Sequence, residues 1–376
     1  MKINIITYTR TKNYGGILQA YGLYRYLQLE GYDVMFIDYV PSRCNINDKK
    51  AFVDDAVSRS KIWGYNIITK WLFSVIRYPA MKRAYKPFIQ FMDTHAMFTK
   101  AYYSEDELEQ DIPNADVYIT GSDQVWNSQF VVGNKIDRPF YLPFVNKGKR
   151  ISYASSFGKD SIPDGHKRDV AKYISAYNAV SVREQTGKKL LSELSIPSTV
   201  VVDPTILCPI EEWDALANIT TDKNYILMYL ISFNETIYQM ALSIADVMGK
   251  KLICISLDNK DRRYVNESLV VTPSIEEWLS YIKQADGVIT DSYHACVFSV
   301  LFHRQFIVNS GTRKGMSSRI INLLSELGLE SRIINSFDPD IIKKGMVAPI
   351  TWKECDDLLK QRRKESIDWL KEAIEK

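Results

Sequence analysis

Short apolar runs alternate with helical patterns along most of the chain. The first run is Lys2–Thr7; apolar residues then recur at helical spacing up to Gly31, and Asp33–Tyr39 is the next run. This order predicts a strand–helix–strand unit, from which parallel sheets with right-handed crossovers are built. The alternation continues, and the further predicted strands are Val117–Thr120, Arg150–Ala154, Val180–Val182, Val200–Val202, Tyr225–Leu230, Lys251–Ile255, Gly287–Thr290 and Phe306–Val308.

The strand pattern restarts after Asp203-Pro204-Thr205, which predicts a domain boundary at residue 204. We predict an N-terminal Rossmann-like domain over residues 1–204, with an aromatic-rich helical insertion at about 45–110. A second Rossmann-like domain is expected over residues 205–345, followed by a C-terminal helix within residues 346–376. The predicted fold class is therefore α/β, with two doubly wound domains.

The composition excludes some classes of function. The 376 residues include 48 Lys plus Arg against 45 Asp plus Glu, a near balance that argues against a nucleic-acid-binding protein. The five cysteines are scattered without a CxxC pair, which predicts a reducing, cytoplasmic environment and no zinc ribbon. Four histidines are few for a metalloenzyme. We therefore expect no metal centre and no cofactor.

The segment after the first predicted strand contains Asn13-Tyr14-Gly15-Gly16. In open α/β sheets, ligands bind beyond the carboxyl ends of the strands, and adjacent glycines at a helix start allow close approach of backbone N–H groups. Asn13, Tyr14 and Gly15 are therefore candidate binding residues. The alternative is a glycine turn that only begins a helix.

A second cluster, Gly121-Ser122-Asp123-Gln124, follows the predicted strand Val117–Thr120. Its small and hydrogen-bonding groups suit sugar hydroxyls or backbone turns equally well. Trp126 is a candidate for stacking on a sugar face, although a tryptophan more often lies in a core.

Arg183 and Glu184 follow the predicted strand Val180–Val182 directly. Such a position favours a role for Arg183 in gripping a carboxylate or phosphate, because its guanidinium binds both in a fork. An internal ion pair is the alternative.

The sharpest signal is Asp291-Ser292-Tyr293-His294, between an apolar strand and an apolar helix. His294 is predicted in the first helical turn, where a histidine can act as a base, or as an acid once an anion binds beside it. A hydrogen-bonded structural histidine is the alternative.

Arg313, Lys314 and Arg319 surround small residues just before the predicted helix Ile320–Leu327. Basic residues with glycine and hydroxyls at a helix start predict an anion site. A solvated basic loop is an equal alternative.

Together these clusters resemble the polysaccharide pyruvyl transferase family, over residues 3 to about 332. No single motif is specific to the family, whereas their combination and order are. The motifs that carry the resemblance are Asn13–Tyr21, Gly121–Asn127, Ser152–Gly158, Val182–Glu184, Val202–Thr205 and Thr290–His294.

The resemblance implies a glycosyltransferase-B-like fold, with two Rossmann-like domains facing across a cleft. It implies transfer of the pyruvyl group of phosphoenolpyruvate onto a sugar hydroxyl pair, as a ketal, in capsule, exopolysaccharide or cell-wall glycan synthesis. His294 falls on the family's second-domain histidine and Arg183 on its arginine, so both are expected to be catalytic and to bind the donor. Where some members carry arginine, this chain has Ser292.

The remaining roles follow from this assignment. Ser292, Arg313, Lys314 and Arg319 are expected to bind the donor beside His294. The acceptor is expected on the N-terminal domain, and its predicted contacts are Asn13, Tyr14, Gly15, Asp123, Gln124 and Trp126.

Two other classes stay open: a metal-independent glycosyltransferase that uses a nucleotide-sugar, and a non-catalytic glycan-binding protein. The sugar acceptor is expected to be lipid-linked or nucleotide-linked, and the oligomeric state is not predicted. The basic residues Lys82, Arg83 and Lys86 have two interpretations. They form a solvated helix surface, or a face that approaches the inner, anionic side of a membrane.

Overall fold

The computed structural model describes residues 1–131, 135–220, 222–265, 268–309, 317–334 and 344–376. Internal contacts divide the chain into two compact units. The first comprises Met1–Leu207 together with Lys364–Lys376, and the second comprises Cys208–Arg363. The division after Leu207 lies close to the boundary predicted at residue 204, whereas the last residues of the chain belong to the first unit.

The first unit is built on a parallel seven-stranded sheet in the order β3-β2-β1-β4-β5-β6-β7. Its strands are β1 (Lys2–Ile6), β2 (Asp33–Tyr39), β3 (Phe98–Tyr102), β4 (Val117–Thr120), β5 (Lys149–Ser155), β6 (Ala179–Val182) and β7 (Thr199–Val200). Its helices are α1 (Tyr14–Leu29), α2 (Lys49–Ser58), α3 (Ile67–Leu72), α4 (Tyr78–His95), α5 (Glu105–Gln110), α6 (Asp164–Ile174), α7 (Gln185–Glu193) and α8 (Pro204–Leu207), with a π-helical turn at Phe73–Arg77 between α3 and α4.

The second unit has a parallel five-stranded sheet in the order β10-β9-β8-β11-β12. The strands are β8 (Tyr225–Tyr229), β9 (Lys251–Ser256), β10 (Ser268–Val271), β11 (Gly287–Thr290) and β12 (Phe306–Val308). The helices are α9 (Ile210–Leu216), α10 (Glu235–Val247), α11 (Ile275–Gln284), α12 (Tyr293–Leu301) and α13 (Ser317–Glu326). A last helix, α14 (Trp352–Glu375), begins in this unit, and its residues from Lys364 onward belong to the first.

The strand order reverses once in each sheet, between β1 and β4 in the first unit and between β8 and β11 in the second. At such a point neighbouring crossovers leave in opposite directions and open a crevice beyond the carboxyl ends of the strands. The two reversals therefore mark the places where a Rossmann-like unit is expected to hold a ligand.

The predicted α/β class with two Rossmann-like units is confirmed. Central strands such as β4 and β11 are buried along their whole length, and their continuous apolar runs made them visible in the sequence. β3 and β10 were missed. Both are outer strands that are only partly buried. In β3, Thr99 and Lys100 also interrupt the apolar signal, whereas the apolar run of β10 is only three residues long.

The predicted insertion is largely helical and has a core of its own. Phe52, Val57, Phe73 and Tyr78 are among its buried members. Within it, α3 begins at Ile67 because Asn66 caps the helix, accepting from the Thr69 N–H at 2.9 Å. The segment also contributes β3 and α5, which the sequence did not predict.

An arginine joins this insertion to the sheet. Arg10, just beyond β1, binds the Asp38 carboxylate of β2 with two nitrogens, at 3.0 and 2.9 Å. Its remaining nitrogen contacts the Asp93 carboxylate on α4 at 2.6 Å. α4 is thus held beside the carboxyl end of β1.

The end of α14 packs on the first unit. The Ser366 hydroxyl accepts from the Val202 N–H at 3.0 Å, and Lys149 Nζ donates to the Ile374 carbonyl at 2.8 Å. Within the described part of the chain, no helix combines the length and apolar character needed to cross a bilayer.

Candidate active site

The carboxyl end of β1 leads into the first turn of α1. Asn13 caps this helix, and its side-chain oxygen accepts from the Gly15 N–H at 3.1 Å. A Cβ on Gly16 would lie 3.1 Å from Thr11 Cγ2 and 3.4 Å from Asp123 Oδ2, so the helix start lies close against the loop after β4. The predicted residues Asn13 and Asp123 are therefore neighbours.

Tyr14 is positioned differently from its prediction. It is fully buried, and its ring packs against Phe88 of α4 with 4.8 Å between centroids. The ring holds α1 against α4, and Tyr14 is not among the residues that line the cavity described below.

The loop after β4 is held in an unusual backbone conformation. Asp123 has φ +73°, in the left-handed region, and its carbonyl accepts from the Ser156 N–H at 3.0 Å. The Gln124 side chain accepts from Asn127 Nδ2 at 2.8 Å and lies over Gly158. A Cβ on Gly158 would come within 2.1 Å of Gln124 Oε1, so only glycine leaves room for this side chain.

Trp126 lies in the core of the first unit. Its ring packs against Phe157 at 5.2 Å and stacks on Tyr141 at 5.8 Å between centroids. With 3% of its surface exposed, it is not available to stack on a sugar, and its core position is the alternative stated above for a tryptophan.

A cavity of about 350 Å³ opens beside this crevice. Three of the predicted acceptor residues, Asn13, Asp123 and Gln124, line it together with Tyr8 and Thr11. The opposite wall comes from the insertion and was not predicted, since no motif marks its residues. That wall includes Arg43, Phe52, Asp55, Arg59, Met81 and Tyr85.

Both arginines of the cavity are paired with carboxylates. Arg43 donates to the Tyr8 hydroxyl at 3.1 Å and contacts Asp137, while Arg59 lies 2.9 Å from Asp55. Burial raises the pKa of the Tyr8 phenol, so this hydroxyl stays protonated. The cavity therefore offers ion-paired and neutral hydrogen-bonding groups together with aromatic faces, which match the hydroxyls and apolar faces of a sugar.

Arg183 follows β6, and only 2% of its side chain is exposed. Its guanidinium lies among three carboxylates: 2.8 Å from Asp203, 3.6 Å from Glu184 and 3.9 Å from Asp123. One buried cation thus compensates several anions. This arrangement corresponds to the internal ion pair of the sequence analysis and does not support a direct grip on an anionic donor.

The carboxylates around Arg183 are themselves fixed. Asp203 Oδ1 accepts from the Thr205 N–H at 2.9 Å and from its hydroxyl at 2.7 Å. Glu184 accepts from the Ser156 hydroxyl, which in turn accepts from the Gly158 N–H at 2.9 Å. Arg183 therefore ties the ends of β4, β5 and β6 into one network, with Asp123 at the border of the cavity.

In the second unit, the reversal between β8 and β11 brings two loops together. Asp291 Oδ1 accepts from the Ile231 N–H at 2.7 Å, which links the loop after β11 to the loop after β8. The Thr290 hydroxyl donates to the Tyr229 carbonyl at 2.6 Å and accepts from the Ser292 N–H at 3.0 Å. Ser292 is held by its backbone at the start of α12.

His294 lies in the first turn of α12, as predicted. Ser292 caps this helix and accepts from the Ala295 N–H at 3.4 Å. The His294 ring is largely buried and meets the Tyr293 ring edge to face at 5.1 Å. A largely buried imidazole at a helix N-terminus is suited to act on an anion, because the unpaired N–H groups of that turn carry partial positive charge.

Arg319, on α13, lies close to the same turn. Its guanidinium carbon is 5.9 Å from the centroid of the Tyr293 ring, so it approaches the face of a residue next to His294. Arg313 and Lys314 fall outside the described residues. Among the predicted donor residues that the structure describes, Ser292, His294 and Arg319 are therefore brought together within the second unit.

Asn309, which follows β12, was not among the predicted site residues. It is buried, and its N–H donates to the Thr290 carbonyl at 3.0 Å, beside the Ser292 turn. Its position directly after an apolar strand, at the ligand-binding edge of the sheet, is the signal that could have identified it.

A second cavity, of about 430 Å³, lies beyond β8 and β9 of the second unit. Ile231, Phe233, Asp258, Asp261, Arg263 and Tyr264 are among its lining residues, and none of them was predicted. Within the described ranges, no three His, Cys, Asp or Glu residues are grouped so that they could hold a metal ion.

Comparisons with known proteins give the family of this chain and proteins that share its fold. A family model described as polysaccharide pyruvyl transferase matches residues 13–310. No curated protein matches the sequence.

Several solved structures are similar in fold. UDP-GlcNAc 2-epimerase from Methanocaldococcus jannaschii, solved with UDP-GlcNAc and UDP, is 14% identical with a TM-score of 0.51; the match covers 96% of this chain and 99% of that one. MnaA of S. aureus, solved with UDP, is 10% identical with a TM-score of 0.52, covering 100% and 98%. AviGT4, a glycosyltransferase of avilamycin A biosynthesis, is 10% identical with a TM-score of 0.51, covering 99% and 97%. These likenesses show a glycosyltransferase-B-like fold.

Proposed function

This chain belongs to the polysaccharide pyruvyl transferase family, and we propose that it forms a cyclic ketal from phosphoenolpyruvate and two hydroxyls of a sugar. The observation that carries the proposal is the extent of the family match. Residues 13–310 include both the cavity residues Asn13, Asp123 and Gln124 and the turn that holds His294. We place the product in capsule, exopolysaccharide or cell-wall glycan synthesis in the cytoplasm.

The reaction balances without an external oxidant or reductant. A proton adds to the methylene carbon of phosphoenolpyruvate and leaves oxocarbenium character at C2. One sugar hydroxyl oxygen bonds to C2, the bond from C2 to the phosphate oxygen breaks, and the neighbouring hydroxyl closes the ketal. Of the two hydroxyl protons, one replaces the proton given to the methylene carbon and the other leaves with phosphate.

We assign the proton transfer to His294. Its place in the first turn of α12 allows the imidazole to face an anion held by the helix N-terminus. Phosphoenolpyruvate carries about three negative charges near neutral pH. Arg319 is the described cation beside this turn, and we propose that it contacts the phosphate, together with Ser292, Arg313 and Lys314.

The acceptor is assigned to the cavity of the first unit. Asn13, Asp123 and Gln124 would bind its hydroxyls, and the rings of Phe52 and Tyr85 would pack against its apolar faces. Gly15 does not line the cavity, and its N–H donates to the Asn13 side chain. The acceptor class that we propose is a lipid-linked or nucleotide-linked sugar.

For Arg183 we propose a positioning role. Its ion pairs hold the Asp123 loop and the ends of β4, β5 and β6 in one arrangement. The family resemblance implied that Arg183 contacts the donor. Such a contact would require the guanidinium to leave three carboxylates, and the free energy lost with them exceeds what one new ion pair would contribute.

The test is a thermal-shift series with phosphoenolpyruvate, UDP-GlcNAc and UDP, followed by phosphate release in the presence of sugar acceptors. Phosphoenolpyruvate at 100 times its dissociation constant is expected to stabilise the protein by about 2.7 kcal/mol. Stabilisation by UDP or UDP-GlcNAc alone would favour the nucleotide-sugar glycosyltransferase. Binding of glycans without phosphate release from phosphoenolpyruvate would favour the non-catalytic alternative.

A further inference from the structure

The insertion of the first unit exposes a group of large apolar side chains. Seven large apolar side chains between residues 62 and 76 are exposed, among them Ile67 at 82% and Trp71 at 61%. Single exposed apolar residues are ordinary, but a group of this size within one short segment marks a surface that meets a partner. The members of this apolar face are Ile62, Tyr65, Ile67, Ile68, Trp71, Val75 and Ile76.

The apolar face does not belong to the core of the insertion. Ile67, Trp71 and Val75 are spaced four residues apart and therefore lie in a row on one side of the helical segment. The opposite side already packs inward: Phe73 is buried and meets Trp63 at 5.7 Å between ring centroids. A helix that is apolar on both sides is expected to be covered by other groups on both sides. Folding of this unit covers one side of the segment and leaves the other exposed.

The surroundings of the apolar face are positively charged. From Arg59 to Met92 the sequence contains no aspartate or glutamate, while it contains seven lysines and arginines. Lys61, Lys82, Arg83 and Lys86 of this stretch are exposed. A second copy of the chain would bring two such positive surfaces together, which is electrostatically unfavourable, whereas an anionic surface is complementary.

A groove of about 390 Å³ adjoins the apolar face where Ile67 and Trp71 line it. Three lysines, Lys49, Lys50 and Lys70, line the same groove together with one carboxylate, that of Asp54, which forms an ion pair with Lys70. The lining therefore carries a net positive charge. Ammonium groups next to exposed isoleucine and tryptophan reproduce the chemistry of a membrane interface, where aromatic rings sit at headgroup level and lysines meet phosphates.

We propose that the apolar face docks on an anionic phospholipid membrane, with Ile67, Trp71 and their neighbours inserted among the headgroups and the lysines of the insertion on lipid phosphates. The docking is peripheral and reversible. It places the first unit, which carries the proposed acceptor cavity, at the bilayer surface. The inference does not depend on pyruvyl transfer, because it rests on the surface of the insertion alone.

The experiment is co-sedimentation of the full chain with vesicles of phosphatidylcholine mixed with phosphatidylglycerol, and with vesicles of phosphatidylcholine alone. We expect binding to the mixed vesicles, weakened by added salt, and little binding to phosphatidylcholine alone. The double variant Ile67→Ser with Trp71→Ser should lose about 10-fold or more of the partition coefficient, since two large apolar side chains no longer insert. The variant Lys82→Gln with Lys86→Gln should lose most of the salt dependence.

Matched controls are available on other surfaces. Val247→Ser removes an exposed apolar side chain from α10, and Lys188→Gln with Lys189→Gln removes two exposed lysines from α7. Both should bind as the unchanged protein does. All variants lie at the surface, and circular dichroism and melting temperature check that each is folded.

Three results would overturn the proposal. The first is binding that the Ile67→Ser and Trp71→Ser variant leaves unaltered, and the second is equal binding to neutral and anionic vesicles at all salt concentrations. The third is a stable dimer in solution that the same double variant dissociates, which would assign the apolar face to self-association. None of these measurements reads turnover, so they fail or succeed separately from the proposed transferase activity.

Discussion

Two polar clusters lie beyond the carboxyl ends of parallel strands, one in each unit, and differ in what surrounds their cations. Arg183, beyond β6, lies within 3.9 Å of three carboxylates and is almost completely enclosed. The turn beyond β11 holds His294 in the first turn of α12, with the Arg319 guanidinium 5.9 Å from the adjacent Tyr293 ring. The first cluster binds its own elements together, whereas the second presents an imidazole and a cation at a helix N-terminus.

The difference shows what a position at a strand end does and does not determine. Both residues follow buried strands of parallel sheets, and that placement brings them to the edge at which ligands bind. Whether a charged side chain there faces a ligand depends on its neighbours. The carboxylates of Asp123, Glu184 and Asp203 come from three separate parts of the chain, and together they neutralise the positive charge of Arg183.

The largest effect that we predict is on folding. Arg183→Met should lower the free energy of unfolding by about 3–5 kcal/mol, because it leaves buried carboxylates without their cation. Denaturant unfolding measures the loss, and Arg168→Met on the exposed surface of α6 is the control, expected to change little. If the Arg183→Met protein is stable but binds phosphoenolpyruvate more weakly, Arg183 is part of the donor site. The two clusters would then have the same role.

The second prediction concerns catalysis. His294→Ala should reduce the rate of phosphate release by at least about 100-fold, the lower end for general acid–base catalysis. His303→Ala is the matched control, since His303 is 44% exposed and bonds Asp356 at 2.9 Å on the surface of the same unit. Because His294 is largely buried, His294→Gln should be tested alongside. Near-normal turnover in a folded His294 variant would remove this residue from the mechanism.

The third prediction tests the cation of the second cluster. Arg319→Met should raise the KM for phosphoenolpyruvate about 10-fold, as expected for a lost hydrogen bond to a charged group. Arg319→Lys keeps the positive charge and should retain part of the affinity. The melting temperature without ligand separates this loss from unfolding. If both variants bind phosphoenolpyruvate as the unchanged protein does, the phosphate is held elsewhere.

The smallest predicted effects are at the helix caps of the two clusters. Asn13 accepts from its capped N–H at 3.1 Å and Ser292 at 3.4 Å. Asn13→Ala should therefore cost about 1 kcal/mol of stability, and Ser292→Ala less, by chemical denaturation. Asn13→Asp and Ser292→Thr keep a capping oxygen and should restore most of each loss. Equal losses at the two sites would mean that the longer bond is no weaker.

Whether the side chain of a predicted acceptor residue lines the cavity depends on its size. Asn13, Asp123 and Gln124 do line one cavity, because each follows a strand at the reversal of the first sheet. Tyr14 and Trp126 share those segments but are buried, since their large rings gain more from the core than from the crevice. The cavity wall from the insertion was not predictable, because it depends on how α2 and α4 pack.

The sequence by itself determined the α/β class, the central strands and the starts of the helices that hold Asn13 and His294. Buried parallel strands require continuous apolar runs, and helix caps depend on a few neighbouring residues, so both signals are local. The tertiary structure alone decided that Arg183 is enclosed by three carboxylates, that two outer strands complete the sheets and that one side of the insertion stays apolar and exposed. Those properties depend on residues far apart along the chain, whose distances and exposure exist only once the chain has folded.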